Sequence, residues 1–227
     1  HADPPGIGHH VVGRERTVHA VNGVSFDLGP SEVLGILGES GSGKSVTLRA
    51  LMGLLPRRST RIDGQILVAG RDIRALSDAE LAGVRGRQVA MIFQEPMTTL
   101  DPVFTIGEQI VETVVRHERV SPRAARARAL DLLELVQIPS PERRLKTYPH
   151  EMSGGMRQRA MIAIALSCRP AVLLADEPTT ALDVSVQIQI LLLLRQLQRE
   201  LGMAVIFVTH DIGVAVEIAD SLAVMYA

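Results

Sequence analysis

A glycine-rich octapeptide, GESGSGKS at Gly38–Ser45, constrains the fold of this chain more than any other stretch. It fits G-x-x-x-x-G-K-[ST] and lies between EVLGILG, which predicts a strand, and KSVTLRALMGLL, which predicts a helix up to Pro56. Glycines let backbone N–H groups turn inward around phosphate oxygens, and a helix N-terminus adds its positive dipole end. The stretch therefore predicts a nucleotide phosphate loop, with Lys44 at the β- and γ-phosphates and Ser45 on Mg²⁺.

Four further polar side chains are predicted at or directly after the ends of apolar strands. AVLLADEP places Asp176 at the carboxyl end of a strand, where it would hold Mg²⁺. Glu177 follows it and would act as general base on the attacking water, or at least polarise that water. His210 ends AVIFVTH and would contact the γ-phosphate, while Gln94 ends VAMIFQ and would ligate Mg²⁺ or position water. A doubly wound sheet builds its ligand site at this edge, so we expect these groups to converge there.

The order of apolar and amphipathic segments predicts an α/β fold with a mostly parallel sheet covered on both faces. Strand patterns run over Glu32–Gly38, Val89–Gln94, Ala171–Asp176 and Ala204–His210, and the amphipathic stretch Ser185–Leu201 predicts a helix between the last two. The closing residues LAVMYA predict one more strand, which suggests a trimmed fragment.

Two regions depart from this alternation. The first 20 residues are rich in Gly, Pro and His and predict loop, followed by strands over Val21–Leu28 and Gln65–Gly70. The middle of the chain instead predicts consecutive helices. We therefore expect a single domain over 1–227, with a core at about 1–94 and 170–227 and a helical section at about 95–169.

Capping residues mark where several helices should begin. Ser77 with Glu80 and Thr105 with Glu108 form capping-box patterns, and Ser121 is followed by Pro122 at the first helical position. Ser153 precedes Gly154, Gly155 and a further helical run, a second Ser-Gly arrangement like that of the phosphate loop.

Composition narrows the possible functions. With 24 basic against 25 acidic residues and 3% aromatic residues, the chain has neither the charge of a nucleic-acid surface nor the aromatics of a base-stacking platform. A single cysteine, Cys168, predicts a small buried residue and excludes both an internal disulfide and a cysteine-based metal cage. The longest apolar runs fall short of the about 20 residues that a membrane span needs, and no signal peptide is visible.

Taken together, the motifs resemble those of ATP-binding cassette (ABC) ATPases. GESGSGKS, Gln94, MSGGMRQR, LLADEP, ALD and His210 occur in that family's order over nearly the whole chain. The segments MIFQEPMTTLDPVFTIGEQI and VIFVTHDIGVAVEIAD look most like ATPase subunits of dipeptide, oligopeptide, nickel and glutathione importers. The resemblance implies a P-loop NTPase core with a mostly parallel sheet, a small antiparallel β-subdomain and an inserted helical subdomain.

The resemblance also assigns site residues. It implies ATP binding by Gly38, Glu39, Ser40, Gly41, Ser42, Gly43, Lys44, Ser45 and Val46. It implies Mg²⁺ binding by Ser45, Gln94 and Asp176, and catalysis by Glu177, His210 and Lys44. It implies that Ser153, Gly154, Gly155, Met156 and Gln158 contact ATP bound to a partner, and that Asp183 faces across the dimer.

The function implied is ATP hydrolysis to ADP and phosphate, coupled to solute uptake at the cytoplasmic face of the bacterial inner membrane. Two ATPase domains would pair head to tail as a homodimer, with a sister subunit or within a fusion, and work with two permease subunits and, indirectly, an extracytoplasmic solute-binding protein. Glu95–Asp101 would meet the coupling helix of a permease subunit. No aromatic residue precedes Phe26, so either adenine contacts His19, Val18, or an arginine such as Arg14 or Arg16, or the contact with the base is weak.

Other interpretations remain open at this stage. A glycine-rich turn without ligand, an acidic pair on a solvated turn and a structural strand-end histidine are the plain alternatives for the single motifs. For the whole chain, the alternatives are a soluble cassette ATPase of DNA repair or translation, a P-loop kinase or GTPase switch, and a regulatory module that holds ATP without cleaving it. The sequence names neither the solute nor the partner.

Overall fold

The computed structural model describes residues 7–12, 17–95, 99–179 and 182–226. The strands are β1 (Ile7–Val12), β2 (Thr17–Val24), β3 (Val33–Gly38), β4 (Thr60–Asp63), β5 (Leu67–Val68), β6 (Arg71–Asp72), β7 (Val89–Ile92), β8 (Val172–Asp176), β9 (Ala204–Thr209) and β10 (Ser221–Met225). The helices are α1 (Lys44–Leu51), α2 (Asp78–Val84), α3 (Ile106–Glu118), α4 (Pro122–Leu135), α5 (Pro141–Arg144), α6 (Gly154–Leu166), α7 (Val184–Leu201) and α8 (Ile212–Ile218).

The central sheet is parallel throughout and has the strand order β10-β3-β9-β8-β7. Its strands are almost continuously apolar because helices cover both faces. Gly38 pairs with Met225, and Asp176 pairs with Val208, so the carboxyl ends of the strands lie along one edge. The predicted parallel sheet is confirmed, and that edge is where the candidate site forms.

Alternate residues of the strands β7, β8 and β9 belong to different apolar clusters, one on each face of the sheet. Leu173 and Ala175 of β8 join the first cluster, and Leu174 between them joins the second. The first cluster continues into the helical section through residues such as Ile110 and Leu133, which are fully buried. Helices α3 to α6 thus share a core with the sheet, while the predicted domain boundaries stay a prediction.

The amino-terminal segment differs from its prediction. Strands β2, β1 and β4 form a three-stranded antiparallel sheet, so the loop predicted for the first 20 residues is wrong over β1 and the start of β2. The strand predicted at Val21–Leu28 also ends early, at Val24. Strand β1 was missed because it lies between β2 and β4 in the sheet, and its pairing with β4, about fifty residues away in sequence, leaves no local signal.

Helix beginnings agree with the predicted caps. Ser77 and Thr105 form complete capping boxes, and Ser121 and Ser153 each accept a hydrogen bond from a backbone N–H three residues on. The end of α1 was predicted at Leu55 and lies at Leu51 instead.

The early end of α1 has a local cause. Gly53 is left-handed at φ 62°, its N–H reaches the carbonyl of Ala50, and the N–H of Leu54 reaches that of Arg49. This is a Schellman motif, which satisfies the last carbonyls of the helix and turns the chain away.

The burial predicted for the single cysteine is confirmed. Cys168 is a free, buried cysteine, and burial raises the pKa of its thiol above the usual value. Among the helices that the structure describes, none is long and apolar enough to cross a membrane.

Candidate active site

The phosphate loop, Gly38–Ser45, joins the carboxyl end of β3 to α1. Gly43 caps α1 at φ 92°, a left-handed conformation, and a Cβ there would lie 2.5 Å from the carbonyl oxygen of Ala20. A Cβ on Gly38 would meet the carbonyl oxygen of Met225 at the same distance. The loop therefore packs too closely on its surroundings for side chains at these two positions.

Lys44 folds back over this loop. Its Nζ donates hydrogen bonds to the carbonyl oxygens of Gly38 (2.7 Å) and Glu39 (2.8 Å), and its side chain is buried. No side chain caps the N-terminus of α1. The first turn of α1 thus directs backbone N–H groups and an ammonium group to the same place, which is the donor set that a phosphate group requires.

Ser45 and Asp176 meet beside the loop. The hydroxyl of Ser45 donates to Oδ1 of Asp176 at 2.9 Å, and Asp176 is only 4% exposed. Burial raises the pKa of the Asp176 carboxyl, and the hydrogen bond from Ser45 opposes that shift only in part. A buried carboxylate that is weakly compensated within the chain favours a cation next to it.

Glu177 lies at the centre of a second polar group. Its Oε2 accepts a hydrogen bond from Nε2 of Gln94 at 3.2 Å and lies 3.6 Å from Nδ1 of His210. Its backbone has φ 43°, an uncommon conformation for a residue with a side chain. The structure therefore brings together the three strand-end residues Gln94, Glu177 and His210 from β7, β8 and β9.

The signature turn, Ser153–Gly155, opens α6 elsewhere in the chain. Ser153 Oγ accepts a hydrogen bond from the N–H of Met156 at 3.3 Å, so the turn caps its own helix. Gly154 and Gly155 lie against the side chains of Leu182 and Val186.

Gln158 requires a correction. It was grouped with the signature residues expected to contact a partner's ATP, but its side chain is 1% exposed. Two residues beyond the partly buried Met156, it lies on the inner face of α6, because a helix turns by about 100° per residue. An inward side chain cannot present its amide to a ligand on the surface.

The remaining predicted residues stand apart from this geometry. Asp183 caps α7, accepting hydrogen bonds from the N–H of Val186 (3.0 Å) and the hydroxyl of Ser185 (2.8 Å). Val18 and His19 are exposed on β2, whereas Arg14 and Arg16 lie outside the described residues.

Comparison with known proteins identifies the family. The family model described as ABC transporter matches residues 21–180, which contain the phosphate loop, the signature turn and Glu177. The chain belongs to the ABC transporter family.

Curated members of the ABC transporter family resemble this chain along nearly all of its length. It is 55% identical to the dipeptide transport ATP-binding protein DppD of Bacillus subtilis (strain 168) over 93% of the chain, and 53% identical to the oligopeptide transport ATP-binding protein OppD of the same organism over 92%. It is 53% identical to the glutathione import ATP-binding protein GsiA of Salmonella choleraesuis (strain SC-B67) over 97%. The chain spans 63%, 59% and 36% of these three relatives.

Solved structures of ABC cassettes have the same fold. A bacterial ABC transporter cassette solved as a dimer superposes with a TM-score of 0.85 at 30% identity, covering 98% of this chain and 93% of that one. The same cassette, solved as a post-hydrolysis dimer bound to ADP and phosphate, gives the same values. The P-loop NTPase fold predicted for this chain is thereby confirmed.

The donor chemistry of the ABC site fits Mg²⁺. Ser45 and Asp176 offer a hydroxyl and a carboxylate oxygen 2.9 Å apart, and the amide of Gln94 donates a hydrogen bond to Glu177, the residue after Asp176. Mg²⁺ prefers such oxygen ligands and keeps several of its waters. No cluster of three His, Cys, Asp or Glu side chains that could hold a metal ion occurs among the described residues.

Sequence reasoning missed the side chains that support the signature turn. Leu182 and Val186 lie against Gly154 and Gly155, although about thirty residues separate each pair in sequence. Their apolar character alone predicts burial somewhere, and no motif indicates this contact.

Proposed function

We propose that this chain is the ATP-binding subunit of a peptide-type ABC importer, which binds MgATP and hydrolyses it to ADP and phosphate. The observation that carries the proposal is the position of Glu177. Its carboxylate is held between Gln94 and His210, and its neighbour Asp176 contacts Ser45 of the phosphate loop. This arrangement supplies a base for water beside a phosphate site, which a module that only holds ATP does not need.

ATP binding would begin at the phosphate loop. Lys44 would exchange its hydrogen bonds to the carbonyls of Gly38 and Glu39 for the β- and γ-phosphate oxygens, while the N–H groups of the loop from Gly38 to Val46 surround the phosphates. Ser45, Asp176 and Gln94 would hold Mg²⁺, which supplies positive charge against the charge that develops on the phosphates.

Hydrolysis would then use the strand-end groups. Glu177 would orient the attacking water and accept its proton, and the imidazole of His210 would contact the γ-phosphate. The side chain of His210 is 69% exposed, so it can turn toward a ligand without unpacking the core. The catalytic effect would come from positioning and electrostatics, as is general for phosphoryl transfer.

A second ABC ATPase domain would complete the site. In head-to-tail pairing, Ser153, Gly154, Gly155 and Met156 would contact the γ-phosphate held by the partner's phosphate loop, and Asp183 would face across the dimer. The dimeric form of the 30% identical cassette supports such pairing. The partner would be a second copy, a sister subunit or a fused half.

The names of the relatives support a proposal for the transported solute. Their names refer to dipeptide, oligopeptide and glutathione transport, so we propose a small peptide-like solute. The chain would sit peripherally at the cytoplasmic face of the bacterial inner membrane, with Glu95–Asp101 meeting one of two permease subunits and an extracytoplasmic binding protein delivering the solute. Residues 96–98 of that segment lie outside the described residues.

The test is Glu177→Gln in the full-length protein. Because the amide keeps the shape of the side chain but is no base, we expect hydrolysis to fall at least about a hundredfold while ATP still binds and the dimer accumulates in its closed form. Radiolabelled ATP turnover and ATP-dependent dimerisation by size-exclusion chromatography measure the two effects. Glu217→Gln, on the exposed face of α8, is the matched control and should leave turnover unchanged. Wild-type turnover in Glu177→Gln would contradict the proposed mechanism.

A further inference from the structure

The signature turn packs directly against the first turn of α7. A Cβ added to Gly155 would lie 2.8 Å from Cγ1 of Val186, and one added to Gly154 would lie 3.2 Å from Cδ2 of Leu182. The first distance is shorter than real Cβ contacts. Val186 therefore occupies the space that a side chain at Gly155 would need, and it contacts the backbone of the turn.

Val186 is itself held in place. Its N–H donates to Oδ1 of Asp183 at 3.0 Å, and the hydroxyl of Ser185 donates to the same oxygen. A β-branched side chain in a helix has one strongly preferred χ1 rotamer. Because both its backbone and its side chain are restricted, Val186 holds a fixed position against the signature turn.

Helix α7 is in turn fastened to the sheet. Arg195 forms two hydrogen bonds with Asp220, at 2.6 and 3.1 Å, and Oδ2 of Asp220 accepts the N–H of Val33 at the start of β3. Strand β3 ends in the phosphate loop at Gly38. The position of the signature turn is thus set relative to the strand that carries the chain's own phosphate site.

We propose that Val186 is a positioning residue for the signature turn: its contact with Gly155 sets where Ser153 and Gly154 present themselves to the nucleotide of a partner. The inference deepens the proposed function and rests on it. It also gives Gly155 a second reason to be glycine, since the contact inside the chain excludes a side chain independently of any ligand.

The test uses mixed pairs of full-length chains in the complete transporter. Lys44→Ala on one chain silences the phosphate loop of that chain, so the remaining hydrolysis occurs between the wild-type phosphate loop and the signature turn of the Lys44→Ala chain. Adding Val186→Ala to the Lys44→Ala chain should lower kcat roughly tenfold, because small misplacement of a group at the reacting centre is costly. Adding it to the other chain should leave kcat near its starting value.

Two controls separate positioning from folding. Val186→Thr keeps the branched shape and should retain kcat, and Val184→Ala, two residues away and 71% exposed, should have no effect. Equal loss of kcat from Val186→Ala on either chain would show a general structural defect and overturn the proposal.

A double variant tests the contact itself. Gly155→Ala should be slow because its new methyl group meets Val186, and adding Val186→Ala should recover part of the rate by making room. If Gly155→Ala is equally slow with and without Val186→Ala, the contact does not set the position of the turn and the inference is wrong. If the Lys44→Ala mixed pair neither binds nor hydrolyses ATP before any change at Val186, the proposed function fails first.

Discussion

The phosphate loop and the signature turn both place serine and glycine ahead of a helix, but the two helices differ in how their N-termini are capped. The helix after the phosphate loop has Gly43 as its N-cap and no side-chain cap, so its first N–H groups remain available to a ligand. The helix after the signature turn is capped by Ser153, whose hydroxyl accepts the N–H of Met156. The N-terminus of α1 therefore leaves its N–H groups without a side-chain cap, whereas the N-terminus of α6 has one of its N–H groups bonded to its own serine.

The surroundings of the two segments differ in the same sense. The phosphate loop has polar partners from its own chain, since Lys44 folds over it and Ser45 contacts Asp176. The side chains that approach the signature glycines most closely, Leu182 and Val186, are both apolar. Similar sequences thus give one region with polar partners from its own chain and another that packs on apolar side chains.

The largest effect should come from disabling the phosphate loop or the signature turn, one at a time, in mixed pairs of chains. Lys44→Ala should abolish ATP binding by the chain that carries it, because the ammonium group that lies on the loop would no longer be available to the phosphates. Gly154→Asp should leave ATP binding by its own chain intact but lower hydrolysis at the partner's site by about two orders of magnitude, since a carboxylate would face the γ-phosphate. Fluorescent-nucleotide binding and single-turnover hydrolysis measure the two sites. Loss of ATP binding by the Gly154→Asp chain itself would remove the distinction between the regions.

A moderate effect on the free energy of unfolding should appear when the buried carboxylate of Asp176 is neutralised. Burial raises the pKa of Asp176, so the folded state binds a proton more readily than the unfolded state does. The free energy of unfolding without nucleotide should therefore fall as pH rises from the ordinary carboxyl range through the raised pKa, and this effect should vanish at lower pH.

Asp176→Asn should remove that pH dependence. It should also raise the free energy of unfolding near pH 7 by about 1 kcal/mol, because functional residues are often held at some cost to stability. Urea titrations across pH measure both, with Asp131→Asn on the exposed face of α4 as control. The variant should lose the stabilisation that MgATP gives the wild type. A destabilised Asp176→Asn protein would mean that the carboxylate is well compensated within the chain.

The smallest effect compares two serine caps with the same geometry. Ser121 and Ser153 each accept a backbone N–H at 3.3 Å, so Ser121→Ala and Ser153→Ala should each reduce the free energy of unfolding by about 1 kcal/mol. Only Ser153→Ala should also slow hydrolysis at the partner's site. Thermal unfolding and ATPase rates on the same preparations give both quantities. Equal ATPase rates for the two variants would reduce Ser153 to a helix cap.

Local features of the fold were largely predictable. The phosphate loop, the capping boxes at Ser77 and Thr105 and the cap at Ser153 each depend on residues within three or four positions of one another. The apolar strands that end at Gly38 and Asp176 were also recognised, because buried parallel strands have continuous apolar runs. Strand β1 was missed because its pairing with β4 leaves no local signal. The helix before Gly53 was predicted too long because the Schellman motif at its end was not recognised.

The sequence by itself determined the chemistry of this protein: a phosphate loop, a carboxylate pair after an apolar strand, and a Ser-Gly-Gly turn that opens a helix. Only the tertiary structure decided which of these groups touch. Gln94 and Glu177 are 83 residues apart and share a hydrogen bond, Gly155 rests on Val186, and Gln158 turns inward rather than toward a partner. The physical reason is that such contacts depend on strand order and helix packing, which bring together segments far apart in sequence. The local sequence of each segment carries no signal that indicates the other.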